Sequence, residues 1–229
     1  MSEITIFKDI KETSQPFYRD AMVLLNRIRE GSSKDLVKRI RAEKDKTQRN
    51  KLKQSLPAIC FSGRFTKRND NSLVQHSGYI CLDFDGYKTN KDMLQEKERL
   101  SKDKYVFSVF ISPSGNGLKV LVKIPQDSEN HKNYFNSLQN HFDSPYFDKT
   151  TKNISRVCYE SYDPLIHINE LSSTWEKIEE TEYQEIVKYR DRPTIPITNE
   201  NKIVDILMKW WDKKYGLKEG ERNNNIYVL

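Results

Sequence analysis

The sequence predicts an α+β protein built around an antiparallel sheet, and three observations carry that expectation. Two apolar runs, YVFSVFIS and LKVLVKI, flank the turn-rich PSGNG, the pattern of two strands joined by a glycine loop. A third apolar run, SGYICLDFDG, comes before them and stops at an Asp-Gly turn. Segments with helical spacing lie on both sides. Twelve Tyr, ten Phe and three Trp in 229 residues supply large core-forming side chains, which excludes full disorder.

In chain order, Pro16 suits a first helical position. Phe17, Ala21, Leu24, Leu25 and Ile28 share one stripe, and Gly31 ends the helix. Ser33 is the expected cap of a second helix from Lys34 to Lys53, apolar at Leu36, Val37 and Ile40. That stretch holds nine basic and three acidic residues, and its apolar stripe thins after Ile40, so its second half is expected to be exposed. Pro57 breaks the pattern, and LPAICFSGRF opens the sheet region. Ser128 is the expected cap of a helix through about His141, with Tyr134, Phe135, Leu138 and Phe142 at helical spacing. ISRVCYES is a further strand, stopped by Asp163-Pro164.

These elements define a core over 1–170, helical and basic over 1–55 and motif-bearing over 56–165. Residues 171–198 read as a Glu-rich and then Pro-interrupted linker. A last helix starts near Asn199 with Ile203, Val204, Leu207, Trp210 and Trp211 on its apolar face. It is expected to open a helical module over 199–229 that continues in a longer protein.

Composition narrows the function. No stretch approaches the roughly 20 apolar residues of a membrane span, and the N-terminus lacks the basic-then-apolar order of a secretory signal. Cys60, Cys81 and Cys158 stand singly, without CxxC spacing, which argues against a disulfide framework or zinc ribbon and fits a reducing, cytoplasmic setting. The net charge is +6, and residues 1–70 hold 17 basic against 9 acidic side chains. Such a basic face attracts polyanions such as nucleic acid; the alternative is a solvated helix surface.

The sharpest local feature is Ile80-Cys81-Leu82-Asp83-Phe84-Asp85-Gly86. Side chains two apart on a strand share a face, so Asp83 and Asp85 project together, about 7 Å apart along the backbone. Two like charges at that spacing call for a cation, and carboxylate oxygens are the donors that Mg²⁺ and Mn²⁺ prefer. The alternative is a solvated strand end. Haloacid-dehalogenase-like phosphatases share the DxDG pattern with the first Asp as nucleophile, but theirs continues with Thr and an apolar residue, where Tyr87 and Lys88 stand here. In the loop, Ser114, Gly115 and Gly117 permit close approach of an anion, and Lys119 adds a positive charge on the next strand, so the group can hold a triphosphate tail. The alternative is a plain hairpin turn. Asp148 is a candidate third carboxylate, and Arg156 a candidate bidentate phosphate contact.

Taken in order, FSGRF, HSGYICLDFDG, SPSGNGLKVLVKI and FDKTTKNISRVCYESYDP resemble the VirE N-terminal-like branch of the archaeo-eukaryotic primase-polymerase superfamily, over roughly Leu56 to Pro164. GERNNN resembles the start of the helical primase module that follows such cores. The resemblance implies an RRM-like antiparallel sheet packed with an N-terminal α/β module. It implies template-directed nucleotidyl transfer on single-stranded DNA, with nucleoside triphosphates as substrates, two Mg²⁺ or Mn²⁺ ions as cofactors, and a replicative helicase, fused or separate, as a partner. The family's metal ligands fall on Asp83, Asp85 and Asp148, with Asp163 as the second choice for the third position. Its nucleotide motif falls on Ser114 to Lys119, with Lys119 where the family has His. The same resemblance assigns Arg156 to the triphosphate, Arg64 to phosphates or template, and the basic Lys34–Lys53 segment to the template backbone. Two other readings stand beside this one: a non-catalytic single-stranded-DNA-binding module and a haloacid-dehalogenase-like phosphatase.

Overall fold

The computed structural model describes residues 3–178 and 204–210. The elements run β1 (Glu3–Phe7), β2 (Phe17–Asp20), α1 (Ala21–Glu30), α2 (Lys34–Ala42), α3 (Lys46–Lys53), β3 (Ala58–Cys60), β4 (Gly63–Phe65), β5 (Leu73–His76), β6 (Tyr79–Phe84), α4 (Asn90–Ser101), β7 (Val106–Ile111), β8 (Leu118–Lys123), α5 (His131–Phe142), β9 (Cys158–Tyr159) and β10 (His167–Ile168). The fold is α+β, and every strand pairing is antiparallel. One four-stranded sheet has the order β2-β1-β3-β9, a second the order β10-β7-β8-β6, and β4 and β5 form a ribbon.

The period of two on β6 and β8 decides the layering. Ile80, Leu82 and Phe84, with Leu118, Val120 and Val122, pack into a core with α4 and α5. Their neighbours Tyr79, Cys81 and Leu121 face the opposite way, into a core with α1, β1 and β3. The second sheet is therefore covered on both faces, which is why its strands read as near-continuous apolar runs.

Several local expectations are corrected. The first helix begins at Ala21, not at Pro16: Phe17 lies on β2, paired with Ile6 of β1, and is 55% exposed. Asp20 caps the helix by accepting from the Met22 amide at 2.8 Å, and Gly31 closes it at φ 94°. The Lys34–Lys53 helix is two helices. Asp45 accepts from the Gln48 amide at 2.7 Å and so caps a new start rather than continuing the old helix. As expected, its second half, α3, buries no residue. Asp127, not Ser128, organises the entry to α5, accepting from the amides of Glu129 and Asn130. ISRVCYES contracts to the two residues of β9. Strand β1, the β5 ribbon strand and α4, the last opened by a Thr89–Asp92 capping box, were not anticipated.

The chain divides into two compact units, Met1–Thr181 and Glu182–Leu229. Trp175 is buried on α5, its indole donating to Ser137 Oγ at 3.2 Å, so the predicted linker belongs to the first unit at least that far. In the second unit 204–210 is helical. The remainder of the linker, the helix start near Asn199, Ile203, Trp211 and GERNNN lie outside the described residues. Among the described residues no helix is long and apolar enough to cross a membrane.

Candidate active site

Asp83 is the next odd-numbered residue after Tyr79 and Cys81, so it projects from β6 away from the α4–α5 core. It is only 4% exposed. Its cross-strand partner in register is Lys119 of β8, whose ammonium lies 2.6 Å from Asp83 Oδ2. Arg156 reaches the same oxygen at 3.4 Å. Burial works against the Lys119 charge, but the Asp83 carboxylate outweighs it and holds its pKa above the usual lysine value.

Asp148 is brought in by a short return of the chain along β6. The Asp85 amide donates to Tyr146 O and the Asp148 amide to Asp83 O, both at 2.8 Å, with Phe84 and Phe147 bridged between them. Thr150 then anchors Asp148, donating from its amide (2.9 Å) and its hydroxyl (2.7 Å) to Oδ1. One carboxylate oxygen each from Asp83, Asp85 and Asp148 lie within 4.8 Å of one another. The environments of the two outer carboxylates differ. Burial, with Asp83 and Asp148 adding to it and Lys119 opposing, raises the Asp85 pKa. For Asp148 burial is outweighed by the Thr150 hydrogen bonds, Arg156 and Lys119, and the pKa is lowered.

The glycine loop serves the cluster sterically. A Cβ on Gly117 would sit 2.1 Å from Asp85 Oδ1, so the absence of a side chain there is what lets Asp85 occupy its position. The loop amides are partly committed: Gly115 donates to Ser112 O at 2.9 Å and Ser112 to Gly117 O at 2.8 Å, as in a hairpin turn. Ser114 is half-buried and Gly115 adopts φ 78°. The loop rests on α2, where Arg41 donates to Ser112 O at 3.2 Å and to Tyr162 O at 2.9 Å. From α3, Lys53 is within electrostatic reach: burial lowers its pKa, Lys119 adds to that, and Asp85 opposes it. Arg41 and Lys53 were not singled out from the sequence. Their only signal was membership of the basic Lys34–Lys53 run, which does not say which of its cations turn inward.

Two candidates go elsewhere. Arg64, on β4, pairs with Glu3 at 3.1 Å and stacks over the Tyr18 ring at 4.6 Å, so its contacts lie with β1 and β2 and not with the carboxylates. Asp163 is buried and committed to Lys97 Nζ (2.6 Å) and to the amides of Ile111 (2.9 Å) and Leu165 (3.0 Å), which removes it as the third acidic residue. The phosphatase reading needs a parallel, doubly wound sheet around Asp83. The strand beside it is antiparallel, and so is the rest of that sheet.

The donor set fits a divalent cation. Three carboxylates from two chain segments supply the hard oxygen ligands that Mg²⁺ and Mn²⁺ take, and Gly117 leaves the space one of them fills.

No curated protein matches this chain. Among solved structures it is similar to the AEP domain of the cyanophage S-2L primase-polymerase, at 10% identity over 76% of this chain and 85% of that one, with a TM-score of 0.41. The model of the BT4734-like N-terminal domain matches residues 51–167, the stretch that carries Asp83, Asp85, the glycine loop, Lys119, Asp148 and Arg156. The chain therefore belongs to the BT4734-like N-terminal domain family.

Proposed function

We propose that this chain is the nucleotidyl-transferring core of a DNA primase or primase-polymerase, working on a single-stranded DNA template. The observation that carries the reading is the convergence of Asp83, Asp85 and Asp148 within 4.8 Å, beside the cationic Lys119 and Arg156. When bound, two Mg²⁺ or Mn²⁺ ions would lower the pKa of an attacking 3′-hydroxyl and neutralise the leaving pyrophosphate. The three aspartates would hold them. Arg156, 42% exposed on its side chain, has donors free to take a phosphate in bidentate fashion, and Lys119 supplies a second positive charge on the same side of the cluster. Gly117 leaves the space that the Asp85 carboxylate occupies. The exposed cations of α2, α3 and the turn between them, among them Lys38, Lys44, Lys46 and Lys51, would follow the template phosphates.

The test is primer synthesis and extension on single-stranded DNA with Mg²⁺ or Mn²⁺, comparing wild type with Asp85→Asn. Asp85 is exposed as a residue although its carboxyl is partly enclosed by the cluster, so its substitution is expected to spare the fold. The expected result is a loss on the order of 10²-fold or more with DNA binding retained; unchanged synthesis would overturn the metal assignment. One observation favours a second reading, a non-catalytic DNA-binding module: Asp83 already carries an ammonium on one of its oxygens. That reading expects salt-sensitive DNA binding that ignores both metal and nucleotide.

A further inference from the structure

The carboxylate cluster contains its own cation. Lys119 extends from β8, which is flanked by β6 on one side and β7 on the other, so its backbone cannot withdraw. Its side chain is 13% exposed, and its ammonium rests on the most buried of the three aspartates. Arg156 adds a second positive group on that oxygen, so Asp83 Oδ2 is met twice before any metal arrives. With Lys53 within reach of Asp85, three carboxylates face three cationic side chains. A bare divalent ion entering this ring gains the carboxylates but meets two positive groups already in contact with one of them. A nucleoside triphosphate changes the balance. Its phosphates give Lys119 and Arg156 an alternative anion of equal or better geometry, which frees Asp83 for a metal and restores an excess of negative charge.

We infer that Lys119 is a resident counter-cation of the cluster, a positioning residue that holds off bare divalent ions and yields Asp83 to a metal only when a nucleoside triphosphate draws the ammonium away. This rests on the metal reading of the preceding section. It also goes beyond it, because it names the physiological ligand as the metal–triphosphate complex and assigns the coupling to one side chain. Thermodynamic linkage makes the effect reciprocal: nucleotide tightens the metal and the metal tightens nucleotide by the same factor.

The experiment titrates the full chain with Mn²⁺ and reads free Mn²⁺ by electron paramagnetic resonance, with and without an α,β-methylene nucleoside triphosphate that cannot react, each nucleotide titration being corrected for the Mn²⁺ that the nucleotide chelates in a protein-free control. Wild type, Lys119→Gln, Lys119→Arg and Arg156→Gln are compared, with thermal melts alongside. In wild type the nucleotide should tighten Mn²⁺ by about tenfold or more. Lys119→Gln should bind bare Mn²⁺ about tenfold more tightly than wild type and lose most of the nucleotide dependence, while Lys119→Arg keeps the wild-type behaviour. Arg156→Gln, at a half-exposed site, should move in the same direction as Lys119→Gln by a smaller factor. It decides the matter if Lys119→Gln does not fold. Equal Mn²⁺ affinity with and without nucleotide in wild type overturns the inference and leaves the metal reading standing, and so does bare-Mn²⁺ affinity unchanged in both charge-removing variants. Failure of Mn²⁺ to bind under any condition overturns both.

Discussion

Gly117→Ala is the cleanest perturbation of the cluster, because it adds one methyl group and no charge. The new Cβ would lie 2.1 Å from Asp85 Oδ1 and 3.0 Å from Phe84 O. Real Cβ atoms essentially never approach a heavy atom closer than 3.0 Å, so the Asp85 carboxylate must retreat by about 1 Å, the scale at which misplacement costs on the order of 10²-fold in rate. Gly117 is not one of the glycines at positive φ, so alanine brings no left-handed strain there. It also removes some of the conformational freedom of the unfolded chain, worth up to about 1 kcal/mol in the direction of stability. The expected signature is therefore a melting temperature within a few degrees of wild type and nucleotide incorporation reduced about 10²-fold. Gly115→Ala is the contrast. At φ 78° it should cost about 1–2 kcal/mol of stability without crowding any carboxylate. Incorporation by Gly117→Ala within about twofold of wild type, in a folded protein, would refute the claim that this glycine holds the position of Asp85.

Three further outcomes are expected. Lys97→Met strands the buried Asp163 carboxylate, whose ion pair with Lys97 is 2.6 Å long, and should cost about 3–5 kcal/mol in urea unfolding; a loss under about 1 kcal/mol would show that the pair contributes little. His76 and His131 meet at 3.1 Å inside the first unit; burial holds His76 at about 4 and, with His76 adding to it, His131 at about 3. Both are neutral in the fold while the unfolded chain takes up protons near 6.5, so stability is full above pH 6.5 and falls at about 1.4 kcal/mol per unit per histidine as the pH drops. Urea midpoints at pH 7, 6 and 5 should decline, and a flat series would contradict the buried pair. Finally, Lys46→Ala with Lys51→Ala, both exposed on α3, should lower the salt dependence of single-stranded DNA binding by roughly one to two counterions; an unchanged slope would take the template away from this helix.

What could be read from the sequence follows the range of the forces involved. The β7–β8 hairpin, β6 and α5 have strong periodicities that one stretch of chain sets by itself, and all four stand where their apolar runs put them. The β1–β2 pair was missed because β1 is five residues and β2 four, and their pairing is a tertiary fact: Phe17 counts as a helix residue until Ile6 is seen opposite it. The long basic helix broke at Asp45 because a side chain competed with the backbone, a choice that charge counting does not register. The same division runs through the site. Asp83 and Asp85 share a face by strand parity alone, whereas nothing local separates Asp148, which joins them, from Asp163, which lies buried against Lys97. Arg156 is a phosphate candidate from its own surroundings and Arg64 only through the resemblance, and a basic residue on a strand says nothing of its partners; Glu3 and Tyr18 claim Arg64, Asp83 claims Arg156.

That asymmetry bears on how the cluster is built. The face of β6 that carries Asp83 also carries Tyr79 and Cys81, which pack against the core formed with α1, β1 and β3. Asp83 is thus the point where an apolar interface between two layers ends, and an unpaired carboxylate there would be costly to bury. Lys119 is the one cation the sheet register can set directly opposite it. The ion pair therefore has a structural reason to exist whether or not a nucleotide ever binds, while Asp85 and Asp148, both more exposed, have no such buried partner; Asp148 only closes a local turn with Thr150. Two substitutions separate these roles. Asp148→Asn, which keeps the Thr150 contacts sterically, should leave the melting temperature near that of wild type and weaken Mn²⁺ binding in the presence of nucleotide. Asp83→Asn should lower the melting temperature as well, because it strands the Lys119 ammonium. Equal loss of stability in both would mean that Asp148 serves the fold as Asp83 does, and that the cluster is an ion-pair network with no metal to hold.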